Sequence, residues 1–313
     1  MPPEIVASAA SNPESIMAIK SVMGIRILLG GCMIILFLGL LAGDAWLATK
    51  LELHYRGVLF SLAVSAIAAM GAWELLNLAK SKAVHVSSTI LIISVVALIT
   101  QPVWMPLPCW NIAGSGTVLV IFFSTMMVAA LRQGYRQGTA GTFVNLGFAC
   151  FALIYLGLGF WFLVKIRFLT ILSTEPIQQA GPIMLFLLTV KSADISAYFT
   201  GKAIGSHKWV PKISPAKTWE GFLGGILVAG IIASLFSRLF NIMPVAEAAL
   251  FGLVIGIFGQ LGDLLESMLK RDSGEKDSSK LLPAFGGVLD LVDSVVVAAP
   301  VAYLILRWVG PYS

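Results

Sequence analysis

Nine runs of apolar residues alternate with short polar connections along the chain. They lie near residues 26–48, 57–79, 88–104, 115–131, 141–164, 181–199, 221–239, 246–268 and 288–309. Most approach the roughly 20 residues that a helix needs to cross the hydrocarbon core of a bilayer. The third and fourth are shorter. The pattern predicts an all-α integral membrane protein with about nine transmembrane helices. No internal repeat and no soluble domain is evident. Residues 1–180 form an N-terminal array of spans. Residues 181–313 form a second transmembrane region, in which polar side chains gather at the span ends and carry the candidate chemistry.

Composition agrees. The chain of 313 residues is 58% hydrophobic and 12% charged, whereas a soluble domain is nearer a quarter charged. Net charge is +5, and its distribution is more informative than its size. The N-terminal segment and the loops after spans two, four, six and eight hold 14 of the 21 Lys and Arg residues. The positive-inside rule then places the N-terminus and these loops in the cytoplasm and the C-terminus outside. Residues 1–25 carry Glu4 and Glu14 and lead into a full-length apolar run, so no cleavable leader is expected. Cys32, Cys109 and Cys150 match no metal or disulfide spacing. Trp104, Trp110, Trp209 and Trp219 fall near span ends and read as interfacial anchors.

Against this background one stretch stands apart. Between Gly259 and Ser294 the chain carries Asp263, Ser267, Lys270, Arg271, Lys276, Asp277, Asp290 and Asp293. Carboxylates at membrane helix ends are unfavourable and are usually functional. In the eighth span Asp263, Glu266 and Ser267 are spaced i, i+3, i+4 and share one face, with Gln260 and Lys270 on the same stripe. A helix-packing network is the alternative, and for Ser267 alone the two readings are balanced. The ninth span opens with Asp290, Asp293 and Ser294 in the same spacing, just after Gly286 and Gly287. Such glycines let a phosphate approach a helix N-terminus; a plain turn with Asp as cap is the competing reading. Asp263 and Asp290 brought together would offer hard oxygen ligands for Mg²⁺. The loop KRDSGEKDSSK between the spans supplies Lys270, Arg271, Lys276 and Lys280 for phosphates, or merely obeys the charge rule.

The sixth span contains Lys191, Asp194 and Tyr198, either an ion pair or part of a site. The following Gly- and Pro-rich loop, Gly201 to Gly221, holds four lysines that can wrap a polyphosphate. His207 reads as exposed. Glu74 reads as a cap or a partner of Lys80.

These blocks resemble the phosphatidate cytidylyltransferase family, whose signature runs Ser-x-x-Lys-Arg, Lys-Asp, Pro-x-His-Gly-Gly and Asp-Arg-x-Asp. Ser267, Lys270, Arg271, Lys276, Asp277, Pro283, Gly286, Gly287, Asp290 and Asp293 stand in that register. Asp194, Gly201, Lys202, Gly205, Ser214, Lys217, Thr218, Glu220 and Gly221 are similar to the family's second block. The resemblance covers about the last 130 residues. Two positions depart: Phe285 replaces the signature His, and Leu291 the signature Arg.

The resemblance implies transfer of the cytidylyl group of CTP to phosphatidate, giving CDP-diacylglycerol and pyrophosphate. It implies Mg²⁺ on Asp263 and Asp290, with room for a second cation. Catalysis would fall to Asp263, Asp290, Lys270, Arg271, Asp293 and Asp194. Substrate would be held by Ser267, Lys276, Asp277, Lys217, Lys202, Ser214, Glu220, Gly286 and Gly287. The partners implied are CTP, phosphatidate and a lipid bilayer, with no nucleic acid; a homodimer stays open. The expected location is a bacterial-type inner membrane, with the active site facing the cytoplasm. A CTP-dependent lipid kinase or another cytidylyltransferase is the nearer rival, a secondary transporter the more distant one.

Overall fold

The computed structural model describes residues 31–32, 35–47, 57–104, 114–169, 180–275, 278–279 and 286–309. The helices are α1 (Ile35–Leu47), α2 (Val58–Lys80), α3 (Ser88–Trp104), α4 (Gly114–Gln137) and α5 (Thr142–Ala152). α5 passes through a π-helical segment, Leu153–Leu158, into α6 (Gly159–Phe168). Then follow α7 (Gly181–Ile204), a hairpin of β1 (Lys208–Val210) and β2 (Ser214–Thr218), α8 (Trp219–Phe240), α9 (Val245–Asp272) and α10 (Leu289–Val309).

Seven helical segments among the described residues are long and apolar enough to cross a membrane, α5 to α6 counting as one of 27 residues. α1 and α3 are shorter apolar helices at the expected first and third positions. The all-α membrane architecture is as expected. The loop after α7 differs, because it folds into the antiparallel β1–β2 hairpin, with Lys208 opposite Thr218 and Val210 opposite Ser214.

Lipid-facing and protein-facing positions separate along the helices. Leu223, Leu227, Ile231, Leu235 and Leu239 of α8 recur every fourth residue and are more than half exposed, a stripe suited to acyl chains. The opposite face of α8 is small. A Cβ on Gly225 would lie 2.9 Å from the carbonyl oxygen of Ala193 on α7, and one on Gly252 of α9 would lie 2.5 Å from that of Ala229. Within lipid no hydrophobic force pulls helices together, so close backbone approach and dispersion hold α7, α8 and α9 as a unit.

A fully buried ion pair joins α1 to α6, Arg167 Nη2 to Asp44 Oδ2 at 2.7 Å. Asp44 also accepts from the backbone N–H groups of Gly57 (2.9 Å) and Leu59 (3.2 Å), which lack partners at the start of α2. Removing one member of such a pair leaves a buried charge. Asp44→Ala is therefore expected to destabilise the protein by about 3–5 kcal/mol. Thermal unfolding in detergent reads this as a fall of about 6 °C or more. An unchanged midpoint would show that the pair contributes nothing to stability.

Candidate active site

The polar ends of α7, α9 and α10 and the hairpin meet at one end of the bundle. On α9 the stripe Asp263, Glu266, Ser267 and Lys270 forms one face, as the spacing predicts. The carboxylates that converge there are Asp263, Glu266 and Asp293, with ligand oxygens within 4.8 Å of one another. Glu266 is 1% exposed, and its Oε2 lies 2.6 Å from Lys270 Nζ. Its Oε1 is buried with no hydrogen-bond partner among the described residues. Asp293 accepts through Oδ1 from Ser294 N (2.6 Å) and Ser294 Oγ (3.1 Å). Like charges this close repel unless a cation sits among them. The donor set is hard oxygen, with one unsatisfied buried atom, and it fits a divalent cation.

Asp290 takes a different place from the one expected. Its Oδ1 is bound by Lys270 Nζ. Its Oδ2 accepts from Gly287 N (2.7 Å), Ser278 Oγ (2.7 Å) and Ser278 N (3.2 Å). Asp290 thus fixes Lys270 and the start of α10, while Asp293, one turn on, joins Asp263. The expected phosphate cradle at Gly286 and Gly287 is also filled. The N–H groups of Val288 and Leu289 donate to Glu74 Oε1 (3.0 Å) and Oε2 (2.8 Å). A Cβ on Gly287 would lie 1.9 Å from Ser278 Oγ and 2.6 Å from Glu74 Oε2. Glycine is required here by the approach of Glu74 and Ser278, not by a ligand. Glu74 does not pair with Lys80, which binds Asn77 instead.

In front of Asp263 opens a cleft of about 580 Å³ between α7, the hairpin, α8 and α9. Asp194, Lys202, Ser214, Lys217 and Asp263 all line it. Lys217 Nζ is 3.1 Å from Asp263 Oδ2, but the contact lacks hydrogen-bond alignment, so its N–H groups stay available to an anion. Thr218 sets the adjoining helix start by accepting from Gly221 N at 3.2 Å. Trp209 also lines the cleft and packs on Phe222 at 4.4 Å between ring centroids, with Trp219 behind it at 5.9 Å.

The other expected residues are placed as follows. Asp194 lies 3.2 Å from Lys191 Nζ and 3.3 Å from Ser294 Oγ, beside the carboxylate group. Lys191 also donates to the carbonyl oxygen of Leu291 at 3.0 Å, bracing α10 where the signature has Arg. Arg271 is exposed and donates to the carbonyl oxygens of Ile213 (3.3 Å) and Glu275 (3.4 Å), tying the hairpin to α9. Glu220 holds His207 Nδ1 at 2.6 Å and accepts from His207 N, so it secures the hairpin and does not face the cleft. Ser267 is buried on the α9 face. Lys276, Asp277 and Phe285 lie outside the described residues.

Two residues at the site were not legible as such. Glu74 is fully buried on α2 and bonds the segment that leads into α10. Tyr155, on the π-helical segment, is buried, and its hydroxyl has no hydrogen-bond partner among the described residues. Single π-helical turns often mark functional positions, yet nothing in an apolar run announces one.

The sequence profile of the cytidylyltransferase family matches residues 24–309. A phosphatidate cytidylyltransferase of Bacillus subtilis is 40% identical over 168 residues, 53% of this chain and 60% of the relative. An uncharacterized Escherichia coli protein, YnbB, is 44% identical over 141 residues, 45% of this chain and 47% of the relative. A phosphatidate cytidylyltransferase of Pseudomonas aeruginosa is 35% identical over 267 residues, 82% of this chain and 91% of the relative. The chain thus spans about half the length of the first two relatives and nearly all of the third. With a match that runs through every described helix, the protein belongs to the cytidylyltransferase family.

Proposed function

We propose that the protein transfers the cytidylyl group of CTP to phosphatidate, forming CDP-diacylglycerol and releasing pyrophosphate. The observation that supports it most is the pairing of a lysine-lined cleft with three converging carboxylates at the membrane end of α9. A phosphate-transfer reaction between two anions needs positioning and charge neutralisation more than it needs a side-chain nucleophile. The lipid phosphate oxygen attacks the α-phosphorus of CTP, and the bond to the departing pyrophosphate breaks.

Lys217, Lys202 and Lys208 line the cleft and neutralise the triphosphate. Asp263, Asp293 and Glu266 would hold Mg²⁺, which supplies charge neutralisation at the phosphate oxygens. Lys270 keeps Glu266 and Asp290 paired, and Asp194 with Lys191 steadies the start of α10. The aromatic wall of Trp209 and Phe222 offers a face for a base. We place the site at the cytoplasmic face of the membrane, where the basic loops lie by the charge rule and where CTP is available.

Purified protein given labelled CTP, Mg²⁺ and phosphatidate in mixed micelles should move label into lipid and release pyrophosphate. Omission of phosphatidate, or chelation of Mg²⁺, should stop both. Label transfer to a lipid alcohol with phosphatidate inert would overturn the substrate assignment, and substrate flux without chemistry would overturn the reaction.

A further inference from the structure

α7 carries a lysine at a depth where a membrane helix seldom holds one. Lys191 sits near the middle of Gly181–Ile204, and its side chain is 42% exposed. It does not line the cleft in front of Asp263, although Asp194, one turn on, does. Its neighbours on the helix show where the exposure points. Leu188, three residues before, and Ile195, four after, are both exposed, so the three share a stripe of α7 that faces acyl chains. Tyr198, a further turn along the stripe, is exposed and also lines the cleft. The lipid-facing stripe of α7 therefore runs into the cleft, and Lys191 stands on the bilayer side of the junction.

The stem of Lys191 follows this stripe while its head turns inward. Nζ donates to Asp194 Oδ2 at 3.2 Å and to the carbonyl oxygen of Leu291 on α10 at 3.0 Å. An ammonium has three N–H donors, and the third has no partner among the described residues. An ionisable group within a span that is paired yet open to one side marks a ligand path more often than a packing contact. A pair that serves packing alone is better enclosed, as Asp44 and Arg167 are. From Lys191 an unbroken series of contacts reaches the converging carboxylates. Ser294 Oγ lies 3.3 Å from Asp194 Oδ1 and 3.1 Å from Asp293 Oδ1. An anion on the free N–H would thus stand beside the reaction centre, outside the cleft that the nucleotide enters.

We propose that Lys191 receives the phosphate of phosphatidate from the bilayer, with the acyl chains lying along the α7 stripe at Leu188. The choice of lipid rests on the reaction proposed above. In that reaction the attacking and leaving oxygens lie roughly in line across the α-phosphorus, so the lipid phosphate must arrive from the side opposite the pyrophosphate. Lys202, Lys208 and Lys217 hold the triphosphate from within the cleft, and Lys191 lies outside it. A water-soluble anion has no need of an approach that opens on acyl chains.

The test is native mass spectrometry of the full chain in detergent, mixed with phosphatidate and without CTP. Lys191→Gln should lower the phosphatidate-bound fraction about tenfold. Lys191→Arg, which keeps the charge, should hold it within about twofold of the parent. Arg132→Gln, which removes an exposed cation from another helix, should leave it unchanged. Equal retention by the parent and Lys191→Gln would overturn the proposal, and displacement of the lipid by millimolar glycerol 3-phosphate would overturn the approach from the bilayer. The parent alone supplies a second measurement, should Lys191→Gln fail to fold. A phosphatidate with a diazirine on an acyl carbon near the ester should label the α7 peptide that holds Leu188; label confined to other helices would also overturn the proposal. Retention through Lys191 with no label passing from CTP into lipid would sink the proposed reaction and leave this site standing. Label transfer with retention indifferent to Lys191 would do the reverse.

Discussion

Asp263→Asn is expected to lower turnover of CTP by a hundredfold to a thousandfold, with the thermal midpoint in detergent unchanged. The size follows from what the carboxylate does. It faces the cleft, is 42% exposed, and has one ion-pair partner among the described residues, Lys217, at 3.1 Å. Its negative charge is one of the three that would hold a cation. Loss of one preorganised electrostatic contact at a reacting group typically removes about 2.7–4 kcal/mol of transition-state stabilisation, which is that range of rates. Asn keeps the shape; it takes the counter-charge from the buried Lys217 Nζ but also relieves repulsion from Glu266 and Asp293, so the two effects offset and the midpoint should move little. Raising Mg²⁺ should recover part of the rate, since the weakened donor set binds the cation less tightly. Asp290→Asn should behave differently, losing stability together with activity, because Asp290 anchors Lys270, Ser278 and Gly287. Wild-type turnover in Asp263→Asn would remove Asp263 from the reaction and with it the cation site.

Much of this architecture is legible in the sequence because lipid permits few alternatives. Segments read at 181–199, 221–239, 246–268 and 288–309 are the helices Gly181–Ile204, Trp219–Phe240, Val245–Asp272 and Leu289–Val309. Every backbone polar group in hydrocarbon must be satisfied internally, so a long apolar run becomes a helix. The hairpin was not legible, since its few paired residues form through the Gly- and Pro-rich loop itself and leave no alternating pattern.

The same division holds at the site. Helical spacing shows that Asp263, Glu266 and Lys270 share a face, because that is a property of one helix. It does not show which carboxylate of the next helix turns toward them. Asp290 and Asp293 are separated by one turn, and the rotation of α10 decides that Asp293 meets Asp263 while Asp290 meets Lys270. That rotation is set by tight contacts such as the one between Gly262 and Asp293, where a Cβ would lie 2.5 Å from the Asp293 carbonyl oxygen. Glu74 was hardest to place, since its partners are more than 200 positions away.

Glu74→Gln should abolish most activity, by about a hundredfold or more, and should also destabilise the protein by about 2–4 kcal/mol. Glu74 offers two acceptor oxygens to donors from one short segment. Oε1 takes Ser279 Oγ and Val288 N; Oε2 takes Leu289 N at 2.8 Å and lies 3.2 Å from Ser278 Oγ. The carboxylate therefore caps α10 from a distant helix, as Asp44 caps α2. Its charge also complements the positive end of the α10 dipole. Glutamine keeps one acceptor and replaces the other with an NH₂ group that points at donors. At least one N–H of α10 is then buried without a partner, and the segment that carries Ser278 and presents Asp290 to Lys270 loses its anchor. Hydrogen exchange distinguishes this from loss of a ligand: the Val288 and Leu289 amides should lose protection in Glu74→Gln and keep it in Asp263→Asn. Glu74→Asp, with the charge kept and the reach shortened, should fall between the two in activity. Unchanged protection with full turnover in Glu74→Gln would show that α10 holds its start without this carboxylate.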